Sequence, residues 1–274
     1  MEGILPMNDT PLQAEIDAAT AYEELFVPAL FREWAPRVVA VSQLQPGHRV
    51  LDVACGTGVL AREAASCVGS IGSVAGLDAN PGMLAVAARI APGIEWRQGT
   101  AESLPYADRS FDAVVSQFGL MFFSHRPKAL REMLRVLTPG GRLTAAVWDS
   151  LDHIPAYAAE VALLERIGGR QAADALRAPF VLGDQQKLAT LFAGVGITSV
   201  SVTTHRGTAQ FPSIRSMVEA DLRGWLPVMG VVLPEDQIHR ILEEAEHVLD
   251  PYLTPDGRVT FESFAHIVTG TKEP

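Results

Sequence analysis

The residues with the most chemical meaning sit in one short run, Asp52-Val53-Ala54-Cys55-Gly56-Thr57-Gly58. An apolar stretch leads into two glycines, and helical spacing follows, so the run predicts a strand that ends in a glycine turn and enters a helix. Glycines at such a turn let the backbone approach a ligand closely. The segment Gly56-Thr57-Gly58-Val59-Leu60-Ala61 also fits the dinucleotide fingerprint, with Asp78 about 20 residues further on to take a ribose hydroxyl. Taken alone, the loop does not choose between ligands.

Asp52 bears on that choice. A carboxylate at the strand end, next to the turn, would lie close to a pyrophosphate, and like charges in a partly buried site repel by kcal/mol amounts. The same acid suits a cation. S-adenosylmethionine has no phosphate and carries a sulfonium and an ammonium, so the acid favours it over NAD. Asp52 could instead only cap the turn that follows. Asp78 closes Val74-Ala75-Gly76-Leu77-Asp78, where an acid can accept hydrogen bonds from both ribose hydroxyls. Its alternative is a helix N-cap.

These residues need a scaffold, and the chain supplies the pattern of a parallel α/β sheet. Strands are expected at 49–54, 73–78, 94–98, 111–117 and 142–148. Helices are expected at 59–67, 81–90 and 126–137, the last stopped by Pro139-Gly140-Gly141. Before this core, 9–44 reads as helices folded over the sheet edge or the site. After it, helices are expected at 155–167, 184–193, 213–223 and 234–249, with strands at 198–204 and 258–269. The expected organisation is a helical cap over 1–47, a Rossmann-like core over 48–150, and over 151–274 the rest of the sheet with helical lid insertions at 151–183 and 211–256.

Composition narrows the partners. The 274 residues are 48% hydrophobic and 20% charged, enough for one large domain or a domain with a modest second lobe. A formal charge of −10 with no Lys/Arg-rich run argues against nucleic acid. No stretch of 18 apolar residues occurs, and the first residues carry no basic patch ahead of an apolar segment, so neither membrane insertion nor export is expected. Two cysteines, Cys55 and Cys67, are too few for a disulfide framework or a cysteine-rich metal site, which points to a reducing cytoplasm and no metal. Monomer and homodimer are equally compatible with the sequence.

Four motifs in order resemble the class I S-adenosylmethionine-dependent methyltransferases, within them the small-molecule group that shares a methyltransferase type 11 domain with quinone-biosynthesis C-methyltransferases. They are the Asp52–Gly58 run; Gly76-Leu77-Asp78; Ala101-Glu102-Ser103-Leu104-Pro105 leading to Ser110-Phe111-Asp112-Ala113-Val114-Val115-Ser116; and Arg135-Val136-Leu137-Thr138-Pro139-Gly140-Gly141. The resemblance spans roughly the hundred residues from His48 to Trp148 and implies a seven-stranded sheet whose last strand is antiparallel. It implies that Asp52, Ala54, Gly56 and Gly58 surround the methionine part of the cofactor and that Asp78 binds its ribose. Ala79 and Met83 would flank the adenine, with Ala101 and Glu102 on its other side. Gln117 and Phe118 would stand beside the transferred methyl, and the product would be S-adenosylhomocysteine. Many relatives have Asp where this chain has Thr100, which leaves Thr100 to accept from the adenine amino group. Tyr22, in the leading helices, is the candidate aromatic that closes over the cofactor, with plain core packing as its alternative.

Methyl transfer is displacement at carbon, helped most by alignment and exclusion of water. A base helps when the acceptor is a phenol or an enol-like carbon, and histidine is the first place to look. His125 follows the fourth strand and His153 the fifth, both at the ligand-bearing edge of an open sheet; either could also be an ordinary solvated side chain. Ser116-Gln117-Phe118-Gly119 replaces the Asp/Asn-Pro-Pro-aromatic motif of base-amino methylation, and no His/Cys/carboxylate cluster has metal-ligand spacing. The proline-punctuated apolar run 225–233 could wall an apolar acceptor pocket, or serve as core or a dimer contact. The acceptor expected is therefore a small molecule of quinone-like, polyketide or other aromatic type. The alternatives are an NAD-dependent oxidoreductase and a non-catalytic S-adenosylmethionine-binding protein.

Overall fold

A computed structural model describes residues 11–273. The expected helices over 9–44 thus begin within the described part only at Pro11, and residues 1–10 of the proposed cap lie outside it. Helix α1 (Pro11–Ala21) runs into a π-helical segment, Tyr22–Phe31, with Pro28 inside it. A proline has no N–H to donate, and one place for a helix to absorb that loss is a π-register stretch, which occurs often at functional sites. A short turn and α2 (Ala35–Ser42) complete the N-terminal arm.

The core then alternates as read. Strand β1 (Arg49–Val53) leads to α3 (Val59–Val68), β2 (Ser73–Asp78) to α4 (Pro81–Ile90), and β3 (Glu95–Gln98) through a loop to β4 (Phe111–Gln117). Next come α5 (Arg126–Val136) and β5 (Leu137–Trp148). β1, β4 and most of β5 are buried on both faces, as central strands covered by helices must be, whereas β3 is a short exposed edge. Caps set the helix starts: Asn80 Oδ1 accepts from the Met83 N–H at 3.0 Å, with Pro81 at the first helical position.

The C-terminal third holds α6 (Pro155–Ile167), α7 (Arg170–Arg177), α8 (Gln185–Ala193), β6 (Thr198–Phe211), α9 (Ile214–Ala220), the short α10 (Leu226–Val228), α11 (Glu235–Val248) and β7 (Val259–Thr271). A second π-helical segment, Asp221–Trp225, joins α9 to α10. The seven strands lie in the order β3-β2-β1-β4-β5-β7-β6, and only β7 runs against the others. This is the Rossmann-like sheet expected. Its strand order reverses between β1 and β4, which opens a crevice at their C-terminal ends.

Three local expectations are corrected. β5 begins at Leu137 rather than 142, because Pro139-Gly140-Gly141 loops out within it: Phe111 pairs Leu137 but Ala113 pairs Arg142. β6 extends seven residues past 204 along β7, where cross-strand pairing overrides a weak local signal. Helix α7 was not anticipated; its eight residues follow Gly168-Gly169, and it is held by burial of Ala172, Ala173 and Leu176 against α6 rather than by propensity.

Candidate functional site

A cleft of about 510 Å³ opens where β1, β2 and β4 end. Asp52, Ala54 and Gly56 from the glycine turn line it, with Asp78, Ala79 and Met83 from the end of β2 and the start of α4. Thr100, Ala101 and Glu102 line it from the loop after β3, Gln117 and Phe118 from the end of β4, and Tyr22 from the N-terminal arm. The tertiary fold therefore brings together every residue expected around a cofactor except Gly58. Gly58 is buried against Trp96 of β3: a Cβ built on it would stand 2.4 Å from the indole, and its φ is +86°. Its small size serves packing beneath the turn.

Asp78 is held in place by backbone. The Gly56 N–H donates to one carboxylate oxygen at 2.8 Å and the Asn80 N–H to the other at 2.9 Å, so the acid ties the glycine turn to the start of α4. Burial still raises its pKa above the ordinary value. Asp52 is fully buried at the floor; the Ala61 backbone lies near its carboxyl, but among the described residues neither oxygen has a well-formed hydrogen bond. Burial pushes its pKa well up, the Ala61 backbone pulls it down in part, and the charge of Asp78 adds to the rise. Ala54 and Phe118, neighbours across the strand ends, both hold left-handed backbone, with φ of +58° and +56°. Such strain persists where the surrounding structure imposes it, and it gathers at functional sites.

Tyr22 covers the turn, its ring 3.9 Å from where a Cβ on Gly56 would stand. Burial, then the charge of Asp78, push its hydroxyl far up from its ordinary pKa, so it stays a neutral phenol. The arm that carries it is pinned twice: Glu23 accepts from Thr57 Oγ1 and from Arg62 at 2.9 Å, and Gln117 Nε2 donates to the Phe31 carbonyl at 3.1 Å. The half-buried Glu23–Arg62 pair contributes about 1 kcal/mol at most. Arg135 grips Glu132 and the carbonyls of Leu104 and Tyr106, which fixes the loop bearing Thr100–Glu102.

A second, aromatic cavity of about 130 Å³ adjoins the cleft and shares Tyr22, Phe31, Phe118, Phe122 and Trp225 with it. Trp148, Tyr157 and Phe180 add to its walls; Asp221 and Ser263 are polar points in an otherwise apolar lining. Both π-helical segments feed this cavity, one with Tyr22, Phe26 and Phe31, the other with Asp221 and Trp225.

Neither histidine lines either cavity. His125 is exposed and caps α5, Nδ1 accepting from the Lys128 N–H at 3.3 Å. His153 is exposed and held by Asp149 at 2.9 Å; the other Asp149 oxygen meets buried His266 at 3.0 Å. In these placements His125 contacts its own helix and His153 contacts Asp149. Sequence reasoning missed Trp148, Tyr157, Glu160 and Asp221. A signal did exist for Glu160, a lone acid in the apolar run 156–164. Among the described residues no group of His, Cys, Asp or Glu is placed to hold a metal, and no helix is long and apolar enough to cross a membrane.

Comparison with known proteins bears on this architecture. Residues 50–141 match the family described as a methyltransferase domain. Over these residues the chain is similar to class I S-adenosylmethionine-dependent methyltransferases. A ubiquinone/menaquinone biosynthesis C-methyltransferase UbiE from Ectopseudomonas mendocina is 45% identical over 120 residues, 42% of this chain and 47% of that protein. The chain thus spans about half the length of the curated relatives it matches. In three dimensions it is similar to the YcgJ protein of Bacillus subtilis (22% identity, 88% of this chain, 99% of that one, TM-score 0.59). It is also similar to a Haemonchus contortus phosphoethanolamine N-methyltransferase 2 in complex with S-adenosyl-L-methionine (16% identity, 99% of this chain, 61% of that one, TM-score 0.60). These likenesses establish the fold. The matched methyltransferase domain supplies much of the cleft; of the aromatic cavity it supplies only Phe118 and Phe122.

Proposed function

We propose that this chain transfers a methyl group from S-adenosylmethionine to a small, apolar aromatic molecule held in the aromatic cavity. The observation that carries the reading is the charge of the cleft: Asp52, Asp78 and Glu102 line it, and among the described residues no Lys, Arg or His does. A pyrophosphate would meet only acids there, whereas a sulfonium and an ammonium are stabilised. The unpartnered oxygens of Asp52 fit the ammonium end of the methionine part, since a buried carboxylate without a donor is costly.

In this reading Asp78 accepts from the ribose hydroxyls with the lone pairs left after its two backbone bonds. Ala79 and Met83 flank the adenine, Thr100, Ala101 and Glu102 close its far side, and Ala54, Gly56, Gln117 and Phe118 border the methyl, with Tyr22 as the cover. Bound there, S-adenosylmethionine supplies an electrophilic methyl on positive sulfur. The chain's own contribution is to align an acceptor from the adjoining cavity and to keep water out. Proton transfer is not assigned to His125 or His153. The reaction belongs in the cytoplasm, where Cys55 and Cys67 remain thiols.

Isothermal titration with S-adenosylmethionine, S-adenosylhomocysteine and NAD tests the reading. Micromolar-range binding of the first two, none of NAD, and loss in Asp78→Ala are expected. NAD binding, or no adenosyl binding, sinks it; adenosyl binding with no turnover across an acceptor panel points to a non-catalytic binder.

A further inference from the structure

Two acids remain outside the cofactor reading. Glu160 of α6 is fully buried, and Asp221, 3% exposed, lies in the wall of the aromatic cavity. Their carboxyl groups face each other closely enough to interact. Neither Glu160 oxygen, nor Asp221 Oδ2, finds a protein donor, and Ser263 Oγ beside the cavity is also without a partner. Among the described residues no cationic side chain lines the cavity. Two buried carboxyl groups facing each other repel when both are ionised, so the pair holds at least one proton and carries at most a single negative charge. Burial raises both pKa values, Glu160 further because Asp221 faces it; Tyr157, on the same helix as Glu160, is a further titratable group against them, and burial first, then the two acids, keeps it protonated.

We propose that Asp221, positioned by Glu160, receives the proton of a phenolic or enolic hydroxyl on a single-ring acceptor seated in the aromatic cavity. This rests on the methyl-transfer reading above. The size fits, since an apolar cavity of about 150 Å³ holds a benzene ring and this one measures about 130 Å³. The acids offer no counter-charge to carboxylate- or phosphate-bearing acceptors. Their charge also decides between a hydroxyl and an amine: an amine held at the pair stays an ammonium, which has no lone pair to attack, whereas a hydroxyl that gives up its proton becomes a better nucleophile. The balance is complete. The acceptor oxygen, or a ring carbon conjugated with it, forms the new bond to the methyl. The sulfur–methyl bond breaks with its electron pair left on sulfur, and the hydroxyl proton moves to Asp221.

The test uses the full chain saturated with S-adenosylhomocysteine and three single-ring probes, 4-nitrophenol, benzylamine and benzoate. Titration in buffers of different ionisation heat reads the protons exchanged. Expected is binding of 4-nitrophenol with one proton taken up as the phenolate binds, and an affinity lower by about tenfold or more in Asp221→Asn with the proton uptake gone. Glu160→Gln, whose amide can donate to Asp221, should keep binding but move the midpoint of proton uptake to lower pH, a change that a merely structural role does not produce. Nitrophenol binding that ignores both substitutions, absence of nitrophenol binding, or Asp221-dependent binding of benzylamine or benzoate instead overturns the proposal. If S-adenosylhomocysteine itself fails to bind the wild type, the methyl-transfer reading has failed; if it binds normally in all three proteins, the result speaks only to the acid pair.

Discussion

The rings of Phe118 and Trp148 lie face to face, their centroids 3.9 Å apart and their planes 11° from parallel. Phe118 directly follows β4 and Trp148 ends β5, so the stack caps two adjacent strands at the border between cleft and aromatic cavity. Trp34 meets both rings edge-on, and Phe31 packs on both from the arm. Removing the ring in Phe118→Ala should cost about 3 kcal/mol of stability in urea unfolding, through lost burial and the cavity left behind. The same variant should lose acceptor turnover more than S-adenosylhomocysteine affinity, because the partition and not the cofactor floor is broken; an unchanged turnover would remove this wall from the site.

Asp52→Asn should separate the two adenosyl ligands. The carboxylate favours the charged sulfonium over the neutral thioether, so S-adenosylmethionine affinity should fall on the order of tenfold and S-adenosylhomocysteine affinity less, as read by titration. The folded state raises the Asp52 pKa, so it binds the proton more tightly than the unfolded chain and stability falls as pH rises above the ordinary value of 3.8. The Asn variant should therefore melt higher than wild type at pH 7.

Gly58→Ala tests the packing role of that glycine. A methyl would stand 2.4 Å from the Trp96 indole on a backbone of φ +86°, and a loss of about 2 kcal/mol or more is expected. Pairing it with Trp96→Leu should recover part of the loss in a double-mutant cycle, since the clash disappears while the backbone strain stays. Strict additivity would mean that strain alone accounts for the cost.

The acid pair makes stability pH-dependent in a definite direction. Both groups are raised from ordinary values of 3.8 and 4.5, so above that range the folded protein holds protons that the unfolded chain has released. The slope of stability with pH is then negative, and the cost is absent below that range. Glu160→Gln should raise the melting temperature at pH 7 to 8, with the difference closing near pH 4; thermal melts across that interval check it. A variant less stable at pH 8 than at pH 4, relative to wild type, would contradict the shared-proton picture.

His125→Ala should cost only the cap of α5, about 1 kcal/mol. Cofactor affinity and the pH profile of methyl transfer should stay as they are. A lost basic limb would return the histidine to the chemistry.

The cleft was legible in the sequence because its parts are local. A run of β-branched residues, a glycine turn and an acid at the end of the next strand obey short-range rules, and the repeating strand-helix pattern leaves few ways to arrange them, so Asp52, Gly56 and Asp78 could be named before any fold was known. The role of Gly58 was not legible, because Trp96 reaches it only after β3 pairs with β2. The orientation of the two histidines was not legible, because a loop's place at the ligand-bearing edge does not say where a ring turns; capping and the Asp149 contacts decided that.

By itself, the sequence determined the sheet, its cofactor edge and the acidic sign of that edge, since each follows from the order and type of neighbouring residues. Only the tertiary structure decided the aromatic cavity and the acid pair. Tyr22, Trp148, Glu160 and Asp221 come from four distant segments, and two of these pass through π-helical turns that shift side chains off the usual helical period. Periodicity cannot report such a shift, and it cannot report which buried acid faces another: that depends on how α6 and the segment after α9 pack over the sheet.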